Sequence, residues 1–109
     1  MTGASHVLDQ AQARGIDVRA AGKYLEISPK SRLTADLIRE LKIHKADVLA
    51  LVKIRQALSG YGAMTALQLE AATGLSYRDL YRAVGELYDL YELSLNAEGE
   101  FWLVEQVVN

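Results

Sequence analysis

The chain has 109 residues, a formal net charge of −2 and a hydrophobic fraction of 50%, which is the composition of a folded domain and not of a disordered segment. It contains no cysteine, so disulfides, thiol catalysis and thiolate metal sites are excluded and a reducing cytoplasm is the expected location. No apolar run reaches about 18 residues, and the N-terminus lacks the pattern of a signal peptide, so we expect no membrane association.

The first predicted elements are a short helix and a β-hairpin. Ser5 can cap a helix that runs to about Arg14, and Gly15 then supplies the residue type that ends helices in the left-handed conformation. Residues 16–20 and 24–28 alternate apolar and polar side chains, which is the periodicity of strands. The pattern therefore predicts a hairpin with one buried face.

Turn residues delimit this hairpin, and two helices follow it. Ala21-Gly22 can reverse the chain, and Pro29 closes the second strand because proline cannot donate to a β-ladder. Thr34 is a good N-cap for the next helix. A break near His44 separates it from a second helix that extends to about Leu58.

The remaining residues predict a linker and a winged helix. Two glycines in four residues place the linker at Ser59–Gly62. Thr65 can cap a helix to Ala72, and Ser76 can cap a longer helix to about Tyr91. A hairpin follows, and the order of helix, turn, helix and two-stranded wing is typical of winged-helix domains.

These elements predict an α+β protein built from two small modules of opposite charge. A helix–hairpin–helix–helix module covers residues 1–58, and a winged-helix-like module covers residues 63–109. Residues 1–55 contain ten Lys and Arg against six Asp and Glu, a net charge of +4, whereas residues 56–109 carry −6. Such asymmetry within one chain indicates charged partners.

A set of residues in the first module resembles the TubC-type N-terminal docking domains of nonribosomal peptide synthetases. The resemblance covers residues 5–55 and rests on the spacing of Leu8, Gly15-Ile16, Val18, Gly22, Leu25, Ile27, Pro29, Leu33-Thr34, Leu37, Leu41, His44-Lys45 and Val48-Leu49. In that family the hairpin receives a short, often acidic, peptide of the upstream subunit as an added strand. The resemblance implies main-chain pairing for affinity and basic side chains for selectivity.

Carried to this chain, the resemblance places the docking edge on the second strand of the hairpin. Lys23, Lys30 and Arg32 are the implied readers of an acidic peptide or protein tail. The full candidate peptide-binding set is Arg19, Lys23, Tyr24, Glu26, Ser28, Lys30 and Arg32. The alternative is a solvated surface on which lysines protect a sheet edge from aggregation.

The winged-helix segment raises a DNA-binding alternative. Arg78 and Arg82 lie one turn apart on the predicted recognition helix and share a face. The negative charge of this half opposes phosphate binding, and Glu98 and Glu100 lie near the wing tip where a DNA-binding protein needs cations. DNA contact is therefore the less favoured interpretation.

Tyrosines on the same helix indicate a protein partner. Tyr77, Tyr81, Tyr88 and Tyr91 follow helical spacing together with Val84, and tyrosine is enriched at protein interfaces. The alternative is that these rings only cover the local core, with their hydroxyls in water.

The pattern as a whole predicts a non-enzymatic docking or adaptor protein whose hairpin edge captures an acidic extended peptide. No His, Asp or Glu spacing around His44 indicates a metal site or catalytic centre, and no cofactor motif occurs. Two alternatives remain open: a small winged-helix DNA-binding regulator, and a salt-sensitive assembly in which basic and acidic modules of different copies meet. A homodimer is one form of such an assembly.

Overall fold

The computed structural model describes residues 3–90 and 92–104, and it confirms the predicted α+β class. The chain divides into two units, Met1–Lys53 (unit 1) and Ile54–Asn109 (unit 2), with the division inside one helix. Among the described residues, no helix is long and apolar enough to cross a membrane.

Unit 1 contains a helix, a two-stranded antiparallel sheet and two further helices. In chain order its elements are α1 (Ala4–Ala13), β1 (Asp17–Ala21), β2 (Tyr24–Ser28), a 3-10 turn (Lys30–Arg32), α2 (Ala35–Ile43) and the first part of α3 (Lys45–Tyr61). Its core is formed by apolar side chains from each helix and from the residue before β1: Val7, Leu8, Ala11, Ile16, Leu37, Leu41, Val48, Leu51 and Val52.

The register of the hairpin agrees with the alternation in the sequence. Val18 pairs with Ile27 on the half-buried face, and Arg19 pairs with Glu26 on the opposite, exposed face. Gly22 and Lys23 form a two-residue turn, in which Gly22 has a φ of 62°. A left-handed conformation at this position favours glycine because it has no Cβ.

The helix boundaries of unit 1 confirm two predicted signals and correct one. Thr34 Oγ1 accepts a hydrogen bond from the Leu37 N–H at 3.1 Å, and α2 ends at Ile43 with His44 as its C-cap. The prediction that Ser5 caps α1 is wrong, because the helix begins at Ala4 and Ser5 lies inside it. Gly3 is the N-cap and provides no side-chain hydrogen bond.

Unit 2 contains the end of α3 and five shorter elements in winged-helix order. These are β3 (Met64–Thr65), α4 (Ala66–Thr73), α5 (Tyr77–Asp89), β4 (Leu93–Leu95) and β5 (Glu100–Leu103). The strand order is β3-β5-β4, with both pairs antiparallel. The two-residue strand β3 lies outside the prediction, because it is too short to show any periodicity.

The predicted linker at Ser59–Gly62 is wrong over most of its length. Ser59 and Gly60 are helical, and α3 continues to Tyr61 before Gly62 leaves it with a φ of 82°. The Gly62 N–H still donates to the Leu58 carbonyl at 2.9 Å. Helical hydrogen bonding and the buried Leu58 therefore override the low helix propensity of glycine.

Side-chain caps define the N-termini of α4 and α5 in unit 2, as predicted. Thr65 Oγ1 accepts from the Gln68 N–H at 3.3 Å, and Gln68 Oε1 accepts from the Thr65 N–H at 2.9 Å, which completes a capping box. Ser76 Oγ accepts from the Asp79 N–H at 3.2 Å, and α5 ends at Asp89. The core below them consists of Ile54, Leu58, Met64, Leu69, Leu80, Leu87 and Leu93.

Candidate functional site

The outer edge of β2 presents main-chain groups for hydrogen bonding. In a hairpin closed by a two-residue turn, the flanking pair Ala21–Tyr24 exchanges hydrogen bonds and every second pair after it does the same. The N–H and C=O groups of Leu25 and Ile27 therefore point away from β1. Within the described part of the chain, these groups accept or donate no hydrogen bond to any other element. An extended peptide can pair with this edge.

Three lysines lie around this edge. Lys23 occupies the turn at one end of β2, and Lys30 follows the other end in the 3-10 turn; both are exposed. Lys45, the first residue of α3, brings its Nζ to 5.6 Å from the centre of the Tyr24 ring, a cation–π distance. Tyr24 is 64% exposed and Lys45 is also exposed, so this ring and this ammonium are both accessible to a ligand.

Lys45 is a site residue that the sequence did not reveal. From the spacing alone, it belongs to the polar face of a helix, and no local motif connects it with the hairpin twenty-one positions earlier. The proximity depends on how the break at His44 directs the start of α3. Only the tertiary arrangement of unit 1 therefore shows that Lys45 and Tyr24 share a surface.

The centre of the exposed hairpin face is not positively charged. Arg19 Nε pairs with Asp17 Oδ2 at 2.8 Å, and Glu26 lies opposite Arg19 in the register. The Arg19 guanidinium therefore has one carboxylate as a partner and a second carboxylate on the residue opposite it, and these residues line a shallow pocket of about 300 Å³ together with Ile27 and Ser28. Arg19, a member of the candidate peptide-binding set, therefore has an acidic partner within its own strand.

Arg32 contacts the end of α1 instead of the β2 edge. Its Nη1 points towards the carbonyl oxygens of Arg14 and Gly15 at 3.4 and 3.5 Å. A cation at this position interacts favourably with the C-terminal end of a helix dipole. Gly15 has a φ of 72°, and a Cβ there would collide with the Arg32 guanidinium, so the two residues fit together structurally.

A second exposed surface runs along α5. Tyr77 and Tyr81 lie with ring centroids 4.3 Å apart, and with Tyr88 they are 67%, 42% and 55% exposed respectively. Val84 is buried and belongs to the core row, so it does not continue the tyrosine surface. Tyr91, the fourth predicted interface residue, lies outside the described residues.

The immediate surroundings of Tyr81 keep its phenol protonated. Partial desolvation raises the pKa of Tyr81 above its ordinary value, and the neighbouring Tyr77 and the Glu70 carboxylate raise it further. The Tyr81 phenol is therefore uncharged at neutral pH. It can provide packing area and hydroxyl hydrogen bonds to a partner.

The two candidate DNA-contacting arginines are both exposed on α5, and their spacing of one turn places them on the same face of the helix. Glu98 is exposed in the turn of the wing, and Glu100 accepts a hydrogen bond from Asn96 Nδ2 at 3.1 Å. DNA contact through Arg78 and Arg82 stays a prediction.

One ion pair of unit 2 was not predicted. Arg55 Nη2 contacts Glu92 Oε1 at 2.6 Å, and both side chains are less than one-third exposed. The pair connects α3 to the residue before β4.

Over residues 3–90 and 92–104, no group of three or more His, Asp or Glu side chains is arranged to hold a metal ion. His44 Nε2 lies 3.5 Å from Glu40 Oε2, four residues earlier, and forms part of that single pair.

No protein-family model, curated protein or solved structure matches this chain.

Proposed function

We propose that this protein is a non-enzymatic adaptor whose β2 edge captures an acidic extended peptide as a third strand of the hairpin sheet. The observation that carries the proposal is the pair of outward-facing peptide groups at Leu25 and Ile27, bordered by Lys23, Lys30 and Lys45. Strand addition obtains affinity from the main chain and selectivity from the side chains beside it.

The hairpin faces define a side-chain pattern for the ligand. A strand paired with Leu25 and Ile27 places two of its side chains beside theirs, on the half-buried face, where apolar groups are favoured. The ligand residue between those two lies next to Glu26, so a carboxylate there would be repelled. The proposed ligand therefore has apolar residues at the two positions beside Leu25 and Ile27 and an uncharged residue between them.

The lysines place the acidic residues of the ligand at its ends. A ligand carboxylate beside Tyr24 approaches the Lys45 ammonium and the Lys23 turn, and one beyond Ile27 approaches Lys30. Unit 1 as a whole supports this choice, since it contains nine Lys and Arg against six Asp and Glu. Charge of this kind increases the association rate and rejects basic competitors.

The test is a titration of the full chain with a peptide that has aspartates at both ends and Val-Ser-Ile at its centre, followed by amide NMR. We expect the Leu25 and Ile27 amides to shift and to exchange more slowly with solvent. A matched peptide with proline in place of valine lacks one N–H donor and should bind at least about tenfold more weakly. Movement of other amides while those of β2 stay unchanged would contradict strand addition.

Charge-reversal variants separate the edge from the general charge of unit 1. Lys45→Glu should weaken the peptide complex about tenfold, because it places a carboxylate beside Tyr24. Lys42→Glu is the control, since it makes the same charge change at an exposed position of α2. Equal losses in both variants would mean that the peptide responds only to net charge.

A further inference from the structure

The exposed face of α5 has an arrangement of side chains that the hairpin proposal does not use. Gly85 lies at the centre of this face, and three exposed tyrosines occupy one flank: Tyr77, Tyr81 and Tyr88. The other flank carries Arg78 near the start of the helix and Asp89 at its end. At 100° per residue, these positions form one continuous surface opposite the buried row of α5.

The fold of the chain itself does not require glycine at position 85. The residue is helical and exposed, and a Cβ built on it would meet no atom within 4 Å. Glycine is one of the least favourable residues in a helix interior, so an alanine would stabilise α5 in isolation. The absence of a side chain instead permits the backbone of another element to approach the helix closely.

The charges on this face are arranged to complement a reversed copy of themselves. Arg78 and Asp89 are eleven residues apart, roughly 16 Å along the helix, so they cannot pair within one copy. Neither of them has an ion-pair partner among the described residues. A second α5 in antiparallel orientation places each arginine beside the aspartate of the other copy, which gives two symmetric ion pairs.

We propose that α5 is a self-association surface, on which a second copy of this chain binds through its own α5 in antiparallel orientation. Gly85 allows the two helices to approach, and the tyrosines bury their rings at the border of the contact. The Arg78–Asp89 pairs set the orientation, because a parallel arrangement would place like charges together. The resulting contact closes on itself as a two-fold dimer.

Charge exchange tests this pairing directly. Sedimentation of the full chain over a range of concentrations should show a monomer–dimer equilibrium. Arg78→Asp and Asp89→Arg should each weaken dimerisation about tenfold, because each replaces two attractions by two repulsions. The double variant R78D/D89R should restore the wild-type dissociation constant to within about threefold. Since the two residues cannot meet in one copy, only a contact between copies explains the rescue.

A second variant tests the close approach. Gly85→Leu should weaken the dimer at least about tenfold while circular dichroism shows an equally or more stable helix. The proposal is overturned if the chain stays monomeric at millimolar concentration, or if the double variant fails to recover. It is also overturned in favour of DNA contact if duplex DNA binds the wild type, if R78D loses that binding, and if dimerisation is unchanged.

Discussion

The two β-hairpins that the structure describes differ in size and in surroundings: β1 and β2 have five residues each, whereas β4 and β5 have three and four. β1–β2 is a two-stranded sheet whose second strand has an open edge, whereas β5 in the wing pairs with β4 on one side and β3 on the other. The apolar residues of β1–β2 are half-buried, while Leu93 at the start of the wing is 3% exposed. A hairpin with little burial and a free edge is suited to binding. A hairpin that belongs to a three-stranded sheet and buries a residue such as Leu93 is suited to stability.

The turns of the two hairpins also differ in charge and in the way they are closed. The first turn contains Gly22, with a φ of 62°, and Lys23, whereas the second contains Gly99, with a φ of 79°, and is also closed by the side chain of Asn96. Its Oδ1 accepts hydrogen bonds from the N–H groups of Glu98 and Glu100 at 3.1 and 2.9 Å. The tip of the first hairpin carries Lys23 and the tip of the second carries Glu98, so the two tips have opposite charge.

Core truncation gives the largest expected difference between the hairpins. Leu93→Ala removes a side chain that is almost fully buried and should lower the free energy of unfolding by about 3 kcal/mol. Leu25→Ala removes a half-buried side chain and should cost about 1 kcal/mol. Urea denaturation followed by circular dichroism measures both. Equal losses would show that the first hairpin carries as much of the stability as the wing.

The ion pairs provide a second comparison with smaller effects. Arg55→Ala leaves the carboxylate of Glu92 without its partner in a mostly buried position and should cost about 1–2 kcal/mol. Arg19→Ala breaks a pair whose side chains are 72% and 59% exposed, and it should cost less than about 0.5 kcal/mol. The same denaturation measurement applies. A larger loss for Arg19→Ala would assign a structural role to the first hairpin that its exposure does not indicate.

The turns differ in which substitutions they tolerate. Gly22→Ala should cost about 1 kcal/mol because of its left-handed backbone, and Gly22→Asn should cost less because asparagine adopts that conformation more readily. Asn96→Ala should also cost about 1 kcal/mol, because two N–H groups lose their acceptor, whereas Asn96→Ser should cost less because it keeps a hydroxyl acceptor and adds no charge beside Glu100. Thermal unfolding of the four variants separates backbone strain from side-chain hydrogen bonding. Equal losses within each pair would contradict this distinction.

Reversing the charge at the tip of either hairpin should have the smallest effect on stability. We expect the free energy of unfolding to change by less than about 0.5 kcal/mol. Lys23→Glu should nevertheless weaken the acidic peptide about threefold or more, while Glu98→Lys should leave that affinity unchanged. Isothermal titration calorimetry at low and moderate salt measures both. An effect of Glu98→Lys as large as that of Lys23→Glu would remove the assignment of binding to the first hairpin.

Features of the fold that depend on neighbours in the chain were accessible from the sequence. Thr34, Thr65 and Ser76 cap their helices as predicted, because an N-cap uses a donor only three residues away. The strand alternation likewise placed the residues of β2 on the correct faces. Ser59–Gly60 was misassigned because two glycines indicate a turn locally, although α3 continues through them.

The candidate site depended more strongly on the tertiary structure. The sequence indicated a basic hairpin but could not distinguish Arg32, which contacts the end of α1, from Lys45, which reaches Tyr24. The sequence did not predict β3, because two residues are too few to show the periodicity of a strand. Its pairing with β5 in the structure identifies it as a strand.

The sequence by itself determined the elements, their caps and the separation of charge along the chain, since these follow from interactions between residues a few positions apart. Only the tertiary structure decided which basic side chains lie beside the β2 edge and which already contact another group of unit 1. The same holds for Arg55 and Glu92, which are thirty-seven positions apart and meet through the packing of unit 2. Long-range pairings of this kind depend on how the buried faces of helices and strands pack together. A pattern of neighbouring residues in the sequence does not determine that packing.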